Sequence, residues 1–550
     1  MRAVIIFLLA FLLSLEGFSQ KIYCCDKIED DAVKVYISDS TKDADLVVYK
    51  CAEEDEATEN EGFWFFSTDE KHADKKVFFV DGIEKAELVI HYSTDKEQAG
   101  WINQDKKRLM DIAFDIDIPA IPLWAIIPFI IMLLMIAVGP LFFHQWWEEN
   151  KNKLIVSLVL GIPTAIWLVY EHLTHALMHQ LLFDYIPFII LLGSLFVITG
   201  GIHLKGDIQA KPGINTTFLA IGAVLASFMG TTGAAMLLIR PVIKTNSQRK
   251  YKVHTILFFI AIVANCGGLL TPLGDPPLFL LYLRGAPFEW FFHMFPEWAF
   301  VNAVLLALYF VVDSYYYKKE PIENIQLDTT NIEPIRLKGN LNFLWLIGIV
   351  ASVAFLNDQY IHIIHENHNY AFIREGAMLL LAGASLLFTP KLLRKANKFT
   401  WVPITEVAFL FLGIFITMVP ALLYLAANAS SFGITTPQHF YYATGSLSAF
   451  LDNAPTAVSF HNLAIGMNEG AAAIVGEGFI AGIPEIFLTA ISLGAVFFGA
   501  MTYIGNGPNF MVKAIAEENK IPMPSFFAYI IKFSLIVLLP IYILTQLIFI

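Results

Sequence analysis

The sequence predicts a polytopic α-helical membrane protein that carries a small all-β domain at its N-terminus, outside the membrane. Of its 550 residues, 56% are hydrophobic and only 15% are charged, whereas soluble proteins carry about 25% charged residues. Apolar runs of about 20 residues recur along the chain, which is the length that a helix needs to cross a bilayer. Gly- and Pro-containing motifs interrupt two of these runs. Since both residues disfavour helix interiors, the membrane part should contain two broken helices.

Residues 1–20, MRAVIIFLLAFLLSLEGFSQ, are predicted to be a cleavable secretory signal. One basic residue, an apolar core and the small residues Gly17 and Ser19 are typical of such a signal. An uncleaved first anchor is the alternative, although the apolar core is short for a span. The net charge is −13, with the acid concentrated near the N-terminus, and there is no basic patch with interleaved aromatic residues. Nucleic-acid binding is therefore not expected.

Residues 21–115 are predicted to form the β-domain. Runs rich in β-branched and aromatic residues recur about every 12 residues, with charged turns between them. These runs are VKVYIS, ADLVVYKC, FWFFST, KKVFFV and AELVIHY. The repeated phrases KDADLVVY, EKAELVIHY and EQAGW resemble the septoil-knot β-domain of exported bacterial proteins. Cys24, Cys25 and Cys51 lie in this domain, where export would permit a disulfide to Cys51, and their pairing stays open.

Residues 123–550 are predicted to form the membrane domain. Two apolar segments, 214–240 and 439–466, contain Gly, Ser, Thr and Pro and are interpreted as re-entrant hairpins. The remaining apolar runs predict ten spans, at 123–143, 153–170, 184–203, 254–282, 297–316, 340–357, 372–390, 402–428, 480–510 and 524–548. With the N-terminal domain outside, the cytoplasmic loops carry 19 Lys and Arg residues, and the outer loops after the first span carry 2, Arg284 and Arg374. This positive-inside bias favours the topology, because a fully crossing segment 214–240 would place the basic run RPVIKTNSQRKYK outside.

The two halves of the membrane domain are predicted to be inverted repeats, covering about 123–316 and 340–548. Each half has five spans and one hairpin, so the second half starts from the opposite side. The hairpin LASFMGTTGAAM at 225–236 aligns with LSAFLDNAPTAV at 447–458. The broken spans that follow contain TPLGDPPLF at 271–279 and TYIGNGPNF at 502–510. Inverted repeats with broken helices are typical of secondary transporters, since irregular backbone at membrane depth persists only beside protein or a water-filled cavity.

On these motifs, with ANCGGLLTPLGDPP and ITEVAFLFLGIF, residues 200–530 resemble the ion-transporter superfamily. NhaD-type sodium/proton antiporters are the branch with the greatest likeness, and citrate, dicarboxylate and arsenite carriers are related. The resemblance implies that function depends on five residues, which are Asn265, Asp275, Ser448, Asp452 and Asn453. It also implies a homodimer with elevator-like motion in the bacterial inner (cell) membrane, with a periplasmic N-terminal domain.

One departure from the antiporter pattern concerns the first hairpin. The antiporters usually carry an Asp-Asn pair there as well, whereas this chain has Gly230 and Thr231. The absence of this carboxylate leaves the substrate and the coupling ratio open.

Asp452 is the principal candidate for ion binding. An intramembrane carboxylate is costly and usually functional, and one that holds a proton or Na⁺ in turn would exchange the two. The alternative is a helix cap at the hairpin turn. Asn453 and Ser448 would supply neutral oxygens, as a hard cation prefers. Asp275 is either a cation ligand or proton carrier, or the cap of the next half-helix.

The remaining candidates are polar residues at the hairpin tips and helix breaks. Asn506 occupies the position of Asp275 in the second half. Glu406 is a candidate proton relay or an interfacial residue. The other candidates for substrate or ion binding are Asn265, Thr231, Thr232, Thr271, Thr502 and Asn509.

These patterns predict a secondary active transporter, with sodium/proton antiport as the main hypothesis. A sodium- or proton-coupled citrate or carboxylate carrier is the alternative, and arsenite export is a third. Related anion carriers place Ser-Asn-Thr-type motifs at both hairpin tips, and an ionised Asp452 would repel a carboxylate unless Na⁺ neutralised it, which favours a cation. The expected partners are membrane lipid and a small ion or carboxylate. No cofactor or metal is expected besides Na⁺ and H⁺ as transported or coupling ions.

A membrane sensor or an intramembrane enzyme is the competing class. An enzyme needs a catalytic constellation, and the sequence contains no H-E-x-x-H, G-x-S-x-G or P-loop motif. A sensor needs a cytoplasmic output domain, and the longest predicted inner loop has only about 23 residues. Transport driven by an ion gradient is therefore favoured over both.

Overall fold

The computed structural model describes residues 20–550 except 26, 28–31, 53–56, 58–60, 68–72, 74, 104–105, 107–109, 111–119, 331, 358–359, 362–371 and 469–477. The chain divides into two compact units, Met1–Pro119 and Ala120–Ile550. The predicted signal, residues 1–20, lies outside the described residues apart from Gln20.

The described part of the N-terminal unit contains seven strands, and five of them coincide with the predicted β runs. The strands are β1 Lys21–Cys24, β2 Val33–Ile37, β3 Leu46–Lys50, β4 Phe63–Ser67, β5 Lys75–Phe79, β6 Leu88–Ser93 and β7 Gly100–Trp101. They pair in the order β4-β1-β5-β2-β6-β3-β7, and β3 also pairs with β4. Strands β1 to β6 are therefore all parallel and close on themselves, while β7 runs antiparallel to β3. Closure leaves these six strands with no free edge.

The closed sheet encloses a core of large side chains. Trp64 is fully buried among Ile22, Val35, Leu46 and Val77. The core residues of β2, β3 and β6 lie two apart along each strand, at Val33 and Val35, Leu46 and Val48, and Leu88 and Ile90, as side chains on one face of a sheet do. Short 3₁₀ turns at Thr41–Asp43, Ile83–Lys85 and Lys96–Gln98 connect or follow the strands.

The membrane unit is mostly helical. Its first half contains α1 Ile127–Phe142, α2 His144–Trp147, α3 Asn150–Tyr170, α4 Thr174–His179, α5 Ile186–Thr199, α6 Pro212–Met229, α7 Thr231–Thr245, α8 Val253–Ile262, α9 Pro276–Leu283, α10 Phe295–Tyr317 and α11 Ile322–Thr330. Its second half contains α12 Leu341–Phe355, α13 Phe372–Phe388, α14 Lys391–Ala396, α15 Val402–Ala427, α16 Pro437–Ser448, α17 Asn453–Asn468, α18 Glu485–Phe498, α19 Gly507–Glu518, α20 Phe526–Tyr529 and α21 Leu539–Phe549.

Shorter elements complete the unit. 3₁₀ segments lie at Leu123–Ile126, Cys266–Leu270, Phe288–Met294, Ala429–Phe432 and Gly499–Met501. π-helical segments lie at Gln180–Tyr185 and Ile530–Leu538. Strands β8 His203–Asp207 and β9 Glu333–Lys338 pair with each other, as do β10 Phe479–Ile480 and β11 Ile483–Pro484.

Seven helical stretches of the described chain are long and apolar enough to cross a membrane. They are Asn150–Tyr170, Thr174–Thr199, Pro212–Met229, Val253–Leu270, Phe288–Tyr317, Val402–Ala427 and Phe526–Phe549. Three shorter apolar helical stretches, Leu123–Gly139, Leu341–Phe355 and Glu485–Met501, lie in other predicted spans. The stretch Pro212–Met229 is the first arm of a predicted hairpin, so length alone does not separate that arm from a span.

The two predicted breaks have the same backbone geometry. Before α9, Thr271 has φ −145° and ψ 159° and Asp275 has φ −143° and ψ 143°. Before α19, Thr502 has φ −139° and ψ 169° and Asn506 has φ −150° and ψ 139°. A Cβ at Gly274 would collide with the carbonyl oxygen of Gly268, which explains the glycine inside this tight loop. The shared motif of the two breaks thus encodes one local structure twice.

Candidate functional site

The Asp275 carboxylate lies at the centre of the polar residues that the sequence singled out. Its side chain is buried, with 1% exposed. Oδ1 accepts hydrogen bonds from Thr231 Oγ1 at 3.0 Å and from Asn506 Nδ2 at 3.0 Å. Oδ2 accepts from Asn453 Nδ2 at 2.6 Å. Two of the three donors come from the second half, so this carboxylate joins the two halves.

Four helices begin at this carboxylate. Thr231 is the first residue of α7 and Asn453 is the first residue of α17. Asp275 and Asn506 directly precede α9 and α19. The Thr231 amide also donates to the carbonyl oxygen of Gly274 at 2.8 Å, which fixes the hairpin tip against the break. Because a helix N-terminus carries about half a positive charge, this convergence stabilises negative charge at membrane depth.

A network of three asparagines lies beside the carboxylate. Asn265 donates to Asn509 Oδ1 at 2.7 Å and to the carbonyl oxygen of Ile260 at 2.8 Å. Asn506 donates to Asn265 Oδ1 at 3.2 Å. Asn509 donates to the carbonyl oxygens of Gly499 at 2.8 Å and Thr502 at 2.9 Å. The amides therefore satisfy backbone groups that the helix breaks leave free, as hydrocarbon surroundings require.

Three predicted hydroxyl residues bond to the backbone instead of the carboxylate. Thr271 Oγ1 donates to the carbonyl oxygen of Ser227, and Thr502 Oγ1 donates to that of Ala449, the aligned position in the second hairpin. Ser448 Oγ donates to the carbonyl oxygen of Ala495 at 2.7 Å. These hydroxyls attach each hairpin to a neighbouring element.

Thr232 is half-buried beside Thr231, next to the first hairpin tip.

Asp452 and Glu406 lie outside the hydrogen bonds of Asp275. Asp452 is half-buried, and its Oδ1 accepts from the Ala454 amide at 3.1 Å, so it caps α17. Glu406 Oε1 lies 2.6 Å from Lys153 Nζ in an ion pair between α15 and α3. The structure therefore brings together Asp275, Asn453, Asn506, Asn265, Asn509 and Thr231. Asp452 lies near enough to interact electrostatically with Asp275 without a bond to it, and Glu406 lies elsewhere.

Neutral groups supply all the side-chain donors at the central carboxylate. In the described part of the chain, no Lys, Arg or His forms an ion pair with Asp275 or Asp452. The described residues also contain no group of three His, Cys, Asp or Glu side chains that could hold a metal ion.

Sequence reasoning missed Ser227 and the special role of Gly230. Ser227 Oγ donates to the carbonyl oxygen of Gly267 at 2.5 Å, and its own carbonyl accepts from Thr271. Gly230 has φ +79°, a conformation that favours glycine and turns the chain between α6 and α7. The alignment of the hairpins pairs Ser227 with Ala449, so matching residue types could not reveal this bond.

The comparisons with known proteins agree with this architecture. Residues 118–550 match the model of the family CitMHS_2, described as "Putative citrate transport". Residues 19–102 match the model of the 7(1) septoil knot domain. No curated protein matches the chain. The predictions of a membrane transporter and of a septoil-knot domain are confirmed, whereas the NhaD-type assignment stays a prediction.

Proposed function

We propose that this chain, which belongs to the CitMHS_2 family, is a secondary active carrier for citrate or a similar carboxylate, coupled to Na⁺ or H⁺. The observation that carries the proposal is the convergence of four helix N-termini on Asp275. Backbone amides at helix N-termini are a general means of binding carboxylates and phosphates. The family match supports citrate transport, which the sequence supported only as the alternative.

The balance of charge explains why such a carrier needs a coupling cation. Four helix N-termini contribute about +2 in total. Asp275 offsets about half of this, and an ionised Asp452 near the second hairpin tip offsets most of the rest. A polycarboxylate would then add negative charge to an almost balanced site. Binding of Na⁺ or H⁺ together with the substrate would restore the balance and so link the two movements.

The hairpin tips are suited to a cation as well as an anion. Thr231 Oγ1 and the Asp275 carboxylate place two oxygens 3.0 Å apart, and hard cations prefer such ligands. The asparagine side chains offer both an acceptor oxygen and donor hydrogens. We infer that the cation would lie against Asp275 and that the substrate carboxylates would face the N-termini of these helices.

The charge bias of the loops supports an orientation with the N-terminal unit outside. The predicted cytoplasmic loops carry 19 basic residues, against 2 in the predicted outer loops after the first span. We therefore propose a bacterial inner-membrane carrier with a periplasmic septoil-knot domain.

Uptake of labelled citrate into proteoliposomes tests the proposal directly. We expect citrate to accumulate when a Na⁺ or H⁺ gradient is imposed, and not when K⁺ alone is present on both sides. A protein without citrate uptake under either gradient, in vesicles shown to contain folded protein, would contradict the proposal.

Sodium/proton antiport is the second candidate function, because every side-chain partner of the buried Asp275 carboxylate is neutral. A carboxylate of this kind can exchange a proton for Na⁺. Everted vesicles loaded with a pH-sensitive dye separate the two functions. Antiport requires Na⁺ or Li⁺ to dissipate the pH gradient without citrate, whereas a citrate carrier should respond only when citrate is added.

A further inference from the structure

Arg284 forms a second buried polar cluster, at the other end of α9. Its Nη1 donates to Asn462 Oδ1 in α17 at 2.6 Å. Its Nη2 contacts Asp184 Oδ2 at 3.1 Å and Gln180 Oε1 at 3.4 Å. Asp184 and Gln180 are both buried and lie in the π-helical segment Gln180–Tyr185, which we call the π-segment. Segments of this kind are rare and occur often at functional sites.

The arginine links two of the four helices that begin at the candidate site. Asp275 precedes α9 and Asn453 begins α17, and the two side chains are joined at 2.6 Å. Arg284 follows Asp275 by nine residues, and Asn462 follows Asn453 by nine. The two helices pack against each other, and at 1.5 Å per residue both links lie about 13 Å apart along them. They therefore form a parallel pair that is tied at both ends.

The same arginine fastens this pair to a different part of the unit. Asp184 lies between α4 and α5, and its side chain is 4% exposed, while that of Arg284 is 16% exposed. Two buried nitrogens of the cluster have no hydrogen-bond partner among the described residues: Gln180 Nε2 and Arg284 Nε. An incompletely satisfied network stabilises its arrangement less than a complete one, so this contact is suited to being released.

We propose that Arg284 is the positioning residue of the site. Its bond to Asn462 keeps α9 and α17 in register, and its ion pair with Asp184 holds both helices against the π-segment until the site opens. The inference rests on the proposed carrier function, since Asp275 is only 1% exposed and a carrier has to move the helices around it. We call this arrangement the Arg284 clamp.

Alkylation of Cys266 measures opening without measuring transport. Cys266 is buried beside Asn265, at the start of the broken segment, and is the single cysteine of residues 120–550. A thiol reacts as its thiolate, which requires water. The probe is N-ethylmaleimide on the full chain in proteoliposomes, with mass spectrometry of the Cys266 peptide as the readout.

The variant Asp184→Asn should raise the alkylation rate at least about tenfold, because it removes the charge that holds Arg284. Arg284→Gln should have a similar effect. The double variant should react no faster than the faster single variant, since both changes remove the same Arg284–Asp184 ion pair. Lys153→Gln is the matched control, because it removes a buried charge outside α9 and α17. An unchanged rate in Asp184→Asn, or multiplied effects in the double variant, would overturn the clamp.

If the variants do not fold, hydrogen exchange of the wild-type protein tests whether α9 and α17 open together. Residues 276–284 and 453–462 should become exposed in one common opening event, because the Arg284–Asn462 bond joins their ends. Independent opening of the two helices would overturn the proposal. If the variants are alkylated faster but the protein does not transport citrate, the Arg284 clamp is supported and only the proposed substrate is wrong. If the protein transports citrate but the alkylation rate is unchanged, the clamp is wrong and the proposed substrate is supported.

Discussion

The two helix breaks of the membrane unit have the same backbone geometry, but the acids near them are placed differently. In the first half the hairpin tip is neutral, with Gly230 and Thr231, and the break carries Asp275. In the second half the tip carries Asp452 and Asn453, and the break carries Asn506. Asp275 accepts three side-chain hydrogen bonds, two of them from the second half. Asp452 accepts one bond from its own helix.

Positions that align between the two halves therefore need not have the same role in the site. A pair of hairpins and breaks brings four helix N-termini together, and a single carboxylate is sufficient to occupy the centre. Asp452 then caps α17, and the first residue of α17, Asn453, donates the shortest hydrogen bond to Asp275. We infer that the duplicated hairpins and breaks provide the geometry of the site, and that the unequal placement of the acids provides its charge. Such a site suits an anion accompanied by a cation.

The largest effect is expected from Asp275→Asn, which removes the central charge but preserves the size of the side chain. Three donors would then face an amide, and the cation would lose its charged ligand, so citrate uptake should fall about a hundredfold or more. Uptake into proteoliposomes under a Na⁺ or H⁺ gradient measures this. The control is the yield of folded protein on size exclusion. Uptake within threefold of wild type would show that the two halves do not differ in the way proposed.

A smaller effect is expected from removing single donors. Asn453→Ala removes the 2.6 Å bond to Asp275, and Thr231→Val removes the 3.0 Å bond from the first half. Hydrogen bonds to a charged group contribute about 1.5–3 kcal/mol and favour the ionised carboxylate over its protonated form, so each change should tighten proton binding about tenfold to a hundredfold, with Asn453→Ala the stronger. The concentration of Na⁺ or H⁺ that gives half-maximal uptake is the measurement. Equal effects would mean that the halves contribute alike.

The sequence singled out residues that meet in the structure, but it did not give the contacts of each. Asp275 and Asn453 came from the repeat and from the family resemblance, and Asn506 came from its alignment with Asp275, because Gly and Pro mark the breaks. The bonds of Thr271 and Thr502 to hairpin carbonyls depend on which backbone groups the fold leaves free. Such groups become known only when the hairpin lies against the break.

Long-range partners account for the remaining differences. Arg284 was noted only as a basic residue of an outer loop, because Asp184 lies 100 residues away in sequence. Glu406 was a candidate relay, and its partner Lys153 lies in another helix. In the N-terminal unit, five strands were predicted from their β-branched and aromatic residues and their spacing, but their parallel closure depends on pairing between strands that are not neighbours in the chain. No local pattern specifies such pairing.

The smallest effect is expected from Asp452→Asn, which tests the other side of the comparison. Asparagine caps a helix about as well as aspartate, so the Ala454 amide keeps its partner and the free energy of unfolding should change by less than about 0.5 kcal/mol. Citrate uptake at a saturating concentration of Na⁺ or H⁺ should fall by less than about threefold, since Asp452 makes no bond to Asp275 and contributes only its charge to the site. Asp452→Ala is the matched variant, because it removes the cap and should destabilise the protein by about 1 kcal/mol. Thermal unfolding and uptake measured on the same preparations separate the two roles. A loss of uptake in Asp452→Asn as large as that in Asp275→Asn would make Asp452 a second ion-binding carboxylate, and the two halves would then each supply one charge to the site.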